Sequence, residues 1–172
     1  MVLIYNQREQ MDKLIQLMLQ AFGNNFTFYL KSHNFHWTVM GPDFAENHQF
    51  LQGIYEDAQD AIDDYAEQLR RIGAFPKGDY RDIVNNSQLQ DPVGDLYDPI
   101  SMYEVLLGDL AILVGTLQDA YDEAGAQREY GLHNFLADRI DAHRKQQWML
   151  TSTVVPEDTT QGFNLASCPI AL

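Results

Sequence analysis

Residues 11–73 read MDKLIQLMLQ AFGNNFTFYL KSHNFHWTVM GPDFAENHQF LQGIYEDAQD AIDDYAEQLR RIG. In the first half, Met11, Leu14, Ile15, Met18, Phe22, Phe26, Tyr29, His33 and His36 recur at steps of three and four. That is the period of one helix face, and it predicts a helix over 7–39. Gly41-Pro42-Asp43 breaks the pattern, and a second stripe follows almost at once: His48, Leu51, Tyr55, Ala58, Ile62, Tyr65, Leu69 and Ile72. This second helix ends before Gly73 and Pro76. So short a turn makes the two helices antiparallel neighbours.

Beyond this pair, 77–97 is polar and punctuated by Gly78, Asn85-Asn86, Asp91-Pro92 and Gly94. It reads as a crossover with room for a short helix near 82–86. A long link between second and third helices lets a bundle depart from simple up-and-down order. Asp98-Pro99 is a helix start, with a capping acceptor followed by proline at the first helical position. Met102, Leu106, Leu110, Leu113 and Leu117 carry the third helix to about 122, and Gly125 is expected to stop it. Leu132, Phe135, Leu136, Ile140, His143 and Leu150 mark a fourth over 127–154, closed by Pro156. The expectation is one all-α, four-helix-bundle domain over 1–172, with the bundle at about 7–154 and an aperiodic tail over 155–172.

The chain has 172 residues, 45% of them hydrophobic, enough for a core without disulfides. No apolar run is expected to reach the length that spans a bilayer. The first ten residues lack the basic start and apolar stretch of a signal peptide, so the expected location is cytoplasmic. Cys168 is the only cysteine, which excludes an intrachain disulfide or a cysteine-based metal cluster. A formal charge of −14 repels polyanions and gathers cations. The ends do not reverse this, because Arg8 and Lys13 are offset by Glu9 and Asp12, and 153–172 holds no Lys or Arg. Coating of DNA through the tails is therefore disfavoured.

Histidines and carboxylates on bundle helices are the raw material of an iron site. The ordinary intrachain di-iron design needs Glu-x-x-His on two helices, and this sequence has none. What it has is His36 at the end of the first helix, His48 near the start of the second, and Asp63 with Glu67 farther along. His48, Asp63 and Glu67 share a helix face at about 100° per residue. Fifteen residues at about 1.5 Å each nevertheless part His48 from Asp63 by roughly 22 Å, whereas metal bonds of this type are about 2.0 to 2.2 Å long. Each chain thus carries two half-sites, His36 with His48 and Asp63 with Glu67. A two-fold axis laying the second helix antiparallel to its mate would join one chain's histidines to the other's carboxylates.

Lys31-Ser-His-Asn-Phe-His-Trp-Thr-Val-Met-Gly-Pro42, then His48, then Asp63-Asp-Tyr-Ala-Glu67-Gln-Leu-Arg-Arg-Ile-Gly73, resembles the Dps family. These are the ferritin-like mini-ferritins named as DNA-binding proteins from starved cells. His143 and Trp148-Met149-Leu150 extend the resemblance, which runs from about Met11 to Leu150. It implies a ferritin-like bundle, a dodecameric shell and an intersubunit ferroxidase centre. It further implies oxidation of iron(II), preferably by hydrogen peroxide, and storage of ferric mineral inside. Carried over, His36 and His48 are ligands from one subunit, and Asp63 and Glu67 come from the partner. Two positions depart from the family. Gln52 stands one turn after the second histidine, where an acidic ligand is usual, so it is at best a neutral ligand that weakens the second metal position. Asn134 replaces an aspartate of the three-fold pore, while Asp138 one turn later is retained.

Plainer readings stand beside these. His33 reads first as a packed, hydrogen-bonded core histidine and second as support for the site. Trp37 is a hydrophobic wall or an electron donor to radical intermediates, with the wall favoured. Trp148 and the tyrosines of the second helix read as packing, and Glu56, Asp57 and Asp60 as solubilising charge rather than a surface for iron nucleation. The competing functions are a DNA-compacting protein and a structural shell with a decayed centre, Gln52 being its first sign.

Overall fold

A computed structural model describes residues 2–90 and 95–154, with side chains from Gln10 onward. Asp91-Pro92, Gly94, the expected tail from 155 onward and Cys168 lie outside the described residues. The elements are α1 (Val2–Thr38), α2 (Phe44–Arg71), α3 (Tyr80–Asn86), α4 (Pro99–Ala126) and α5 (Tyr130–Val154). The expected all-α bundle with a short crossover helix is what forms. α1 starts five residues earlier than the periodicity indicated.

The turn between α1 and α2 is tight because two residues take left-handed backbone, Gly41 at φ 118° and Asp43 at φ 55°. α1 packs on α2, α4 and α3, and α4 packs on α5. Polar pairs give the directions. Lys13 meets Glu123, Asn24 meets Thr116 and Lys31 meets Asp109, so α1 and α4 run antiparallel. Asp57 meets Arg139 and Tyr65 packs edge-on to Phe135, so α2 and α5 do the same. The core between them is aliphatic and aromatic, with Leu14, Met18, Phe28, Leu51, Tyr65, Leu106, Leu110 and Leu136 fully buried.

The crossover must travel the length of the bundle, and it does so against α1. Gly23 makes this possible: a Cβ there would lie 2.8 Å from the Ile83 carbonyl oxygen and 3.0 Å from the Ser87 nitrogen. Asn24 accepts from the Gln88 backbone N–H at 2.7 Å and donates to Thr116 at 3.1 Å. Farther along, Lys31 donates to the Gln90 carbonyl, and the Met40 N–H reaches the Tyr97 carbonyl at 2.8 Å. Asp98 then caps α4, accepting from the Ser101 N–H at 2.8 Å.

Two expectations need correction. Gly125 does not stop α4, which continues to Ala126, and α5 begins at Tyr130 rather than 127. The left-handed residue that ends α4 is Arg128, at φ 63°. Gly125 instead lets α5 approach, since a Cβ there would come within 3.2 Å of the His133 ring. The second correction concerns α4 as a whole, which by length and apolarity alone would cross a membrane, although half of its most apolar stretch is buried inside the bundle. Such a helix is what a bundle core requires.

Candidate functional site

His36 enters the site from the last turn of α1 and His48 from the first turns of α2, and the tight turn brings their rings face to face. The centroids are 3.6 Å apart at an interplanar angle of 21°. Each ring Nδ1 lies 2.8 Å from the other residue's backbone carbonyl. A carbonyl only accepts, so both Nδ1 atoms carry the hydrogen and donate. In the neutral rings both lone pairs therefore sit on Nε2, and the carbonyls fix tautomer and orientation as the outer partners of metal-binding imidazoles do. His36 is buried and His48 half-buried.

An aromatic cluster backs the pair. His33 stacks on Tyr55 with centroids 3.9 Å apart and meets Trp37 at 4.3 Å, and Tyr55 lies edge-on to His36 at 5.1 Å. Burial, and then the charge of His36, lowers the His33 pKa, while burial and then Glu56 raise that of Tyr55. His33 is packed as expected but not hydrogen-bonded, since its buried Nδ1 has no partner among the described residues. Trp37 is 60% exposed and does not close a wall within one chain.

The other residues singled out from sequence stay apart from the histidines. Gln52, one turn beyond His48, donates from Nε2 to Glu56 at 2.6 Å. Asp63 and Glu67 are exposed, and Glu67 makes a loose i, i+4 ion pair with Arg71 at 3.4 Å. Because α2 is one uninterrupted helix, the axial gap of roughly 22 Å between His48 and Asp63 persists. Among the described residues, no group of three or more His, Cys, Asp or Glu is gathered closely enough to hold a metal. The chain offers two imidazole nitrogens in one place and two carboxylates in another. Asn134 and Asp138 are exposed on α5.

Sequence reasoning missed one polar cluster and misplaced one ring. Asp57 is not simply a solubilising charge. It takes two hydrogen bonds from Arg139 at 3.2 and 2.7 Å and one from Gln146 at 3.0 Å. Burial pushes its carboxyl up, but Arg139, His143 and Gln146 together hold it below the usual carboxylate range. Arg139 and Gln146 were legible as members of the α5 stripe, lying three residues from Leu136 and from His143 respectively. Trp148 was expected to pack, yet it is 63% exposed.

The chain is similar to known proteins in sequence and in fold. Residues 15–156 match the ferritin-like domain family. A DNA protection during starvation protein of Brevibacillus brevis is 29% identical over 145 residues, covering 83% of this chain and 96% of that one. An uncharacterized low temperature-induced protein of Nostoc sp. is also 29% identical, over 147 residues, covering 85% of this chain and 82% of its own length. A crystal structure of a Dps protein from Vibrio cholerae O1 superposes with a TM-score of 0.81 at 26% identity, covering 86% of this chain and 92% of that chain. That protein is described as a member of a broad superfamily of ferritin-like diiron-carboxylate proteins.

Proposed function

Because the chain belongs to the ferritin-like family and, within it, to the Dps proteins, we propose that it is a ferroxidase and iron-storage mini-ferritin. Iron storage and protection against oxidative stress are the broad functions that this membership supports. The finer reading is that iron(II) is oxidised by hydrogen peroxide at a site shared between two subunits, and that the ferric product is deposited inside a closed homo-oligomeric shell, a dodecamer.

The observation that carries this reading is the reciprocal hydrogen bonding of the stacked His36 and His48 rings, which engages both Nδ1 atoms and leaves the two Nε2 atoms as the nitrogens available to a metal. Imidazole nitrogen suits a borderline divalent metal such as iron(II). Two neutral donors do not complete its coordination, and Asp63 and Glu67 of the same helix are out of reach. Iron(II), the substrate, is then bound first by His36, His48 and Glu67 of the partner subunit. Asp63 of the partner subunit completes this site or bridges to a second iron, where Gln52 adds a neutral oxygen. Peroxide takes one electron from each of two iron(II) ions, its O–O bond breaks, and with two protons it leaves as two waters. Pairing the irons avoids the one-electron cleavage that releases hydroxyl radical.

Purified protein should oxidise iron(II) with peroxide faster than a protein-free control. His36→Ala and Glu67→Ala should each return the rate to that control. A rate untouched by both substitutions would sink the site assignment. Gln52 favours one second reading, a shell whose centre is weakened. Titration of the metal-free protein with iron(II) separates the two, since saturable stoichiometric binding belongs only to a working centre.

A further inference from the structure

Gln52 is the point at which the proposed site lacks a carboxylate, and its amide has a fixed partner. Its Nε2 donates to Glu56 Oε1 at 2.6 Å, one turn farther along α2. An ionised carboxylate has acceptors only. The NH₂ of Gln52 is therefore the end turned to Glu56, however the two amide atoms are assigned, and the carbonyl oxygen is the end turned away. Helical side chains lean toward the helix N-terminus. Glu56 thus leans over the turn of Gln52, and Gln52 over the turn of His48, whose ring is stacked on His36. Freed of Glu56, the terminal torsion of a glutamine is broad and roughly two-fold, so its N–H donors would face a cation about as often as its oxygen does.

Resting on the ferroxidase reading above, we infer that Glu56 is a positioning residue, which holds Gln52 with its amide oxygen presented beside His36 and His48 to a divalent cation. The donors from this chain are then two imidazole nitrogens for the first cation and one oriented amide oxygen for the second beside it. Glu56 acts through Gln52 and is not itself a ligand.

The test uses cobalt(II) without oxidant, added to the assembled full-length protein, with its visible absorption reporting ligand set and affinity. Glu56→Ala should weaken binding roughly ten-fold, the lower end of the usual effect of losing an outer partner of a metal ligand. In a Gln52→Asp background the same substitution should cause no loss, because a carboxylate presents oxygen in either orientation and is repelled by a neighbouring glutamate. An equal loss in both backgrounds would mean that Glu56 acts by long-range charge or by folding, and would overturn the inference, as would no loss in the native background. His36→Ala separates the two levels. If it abolishes cobalt binding while the Glu56 effects are equal, only the inference falls; if it does not, the ferroxidase reading falls with it.

Discussion

His143 is fully buried on α5, and its hydrogen bonds fix it as neutral. Its Nδ1 donates to Gln146 Oε1 at 2.9 Å, while its Nε2 lies 3.3 Å from the Arg139 guanidinium, a group with donors only. Burial, and then the Arg139 charge, pushes its pKa down to about 4 against the opposing pull of Gln146 and Asp57. The unfolded chain takes up this proton near pH 6.5. Stability from His143 is therefore fully present above about pH 6.5 and drains away as pH falls toward 4. His33 is shifted in the same direction, whereas Asp57, held low, is lost only in stronger acid. Urea midpoints at pH 7.5 and 5 should thus drop for the native chain, and drop less for His143→Gln. Equal drops would show that His143 does not govern this window. The sequence placed His143 on a buried stripe and could go no further, because its neutrality depends on Arg139 and Gln146 of its own helix meeting Asp57 of another.

Helix ends show how local signals succeed or mislead. α2 ends with Gly73 at φ 84°, its N–H bonded to the Arg70 carbonyl and the Ala74 N–H bonded to the Leu69 carbonyl. α4 ends in the same way, with Arg128 to Gly125 and Glu129 to Ala124, but with arginine at the left-handed position. Gly73 was readable because the residue suited to that backbone stands there. The end of α4 was not, since the nearby glycine, Gly125, serves the approach of His133. Arginine in that conformation costs about 1 kcal/mol relative to glycine. Arg128→Gly should therefore raise the melting temperature by roughly 2–4 °C for a domain of this size. Calorimetry at matched protein concentration checks it, and a lower melting temperature would mean that the arginine side chain contributes more than its backbone costs.

At the scale of the whole molecule, an apolar groove runs beside the histidine end of α1. Phe26, Leu30, Trp37, Tyr80 and Val84 line this groove of about 490 Å³ between α1 and α3, and Trp37 follows His36 directly in the chain. Exposed apolar surface of this kind marks an interaction face, and under the proposed function its occupant is a second copy. Leu30→Glu and Tyr80→Glu should then shift sedimentation toward smaller species and lower peroxide-driven iron oxidation in parallel. Full oxidation by a monomer would separate the site from the assembly. The separation of His36 and His48 from Asp63 and Glu67 was legible because helical rise alone forbids their meeting within one chain, whereas the groove was not, since its walls come from segments about fifty residues apart. The charge of −14 sets the field of this surface but selects no partner.

Lys31 donates to the Gln90 carbonyl and pairs with Asp109 at 2.7 Å, with side chains only 3% and 9% exposed. Leucine seams tolerate sliding by a turn, but a buried cation does not, because any slip strands it in a medium that cannot solvate it. The five-residue step from Lys31 to His36 therefore acts as a measuring rod between an anchored charge and the His36 imidazole. One residue inserted between them would leave the anchor seated and swing the ring by about 100°, so this stretch of α1 can change composition more freely than it can change length.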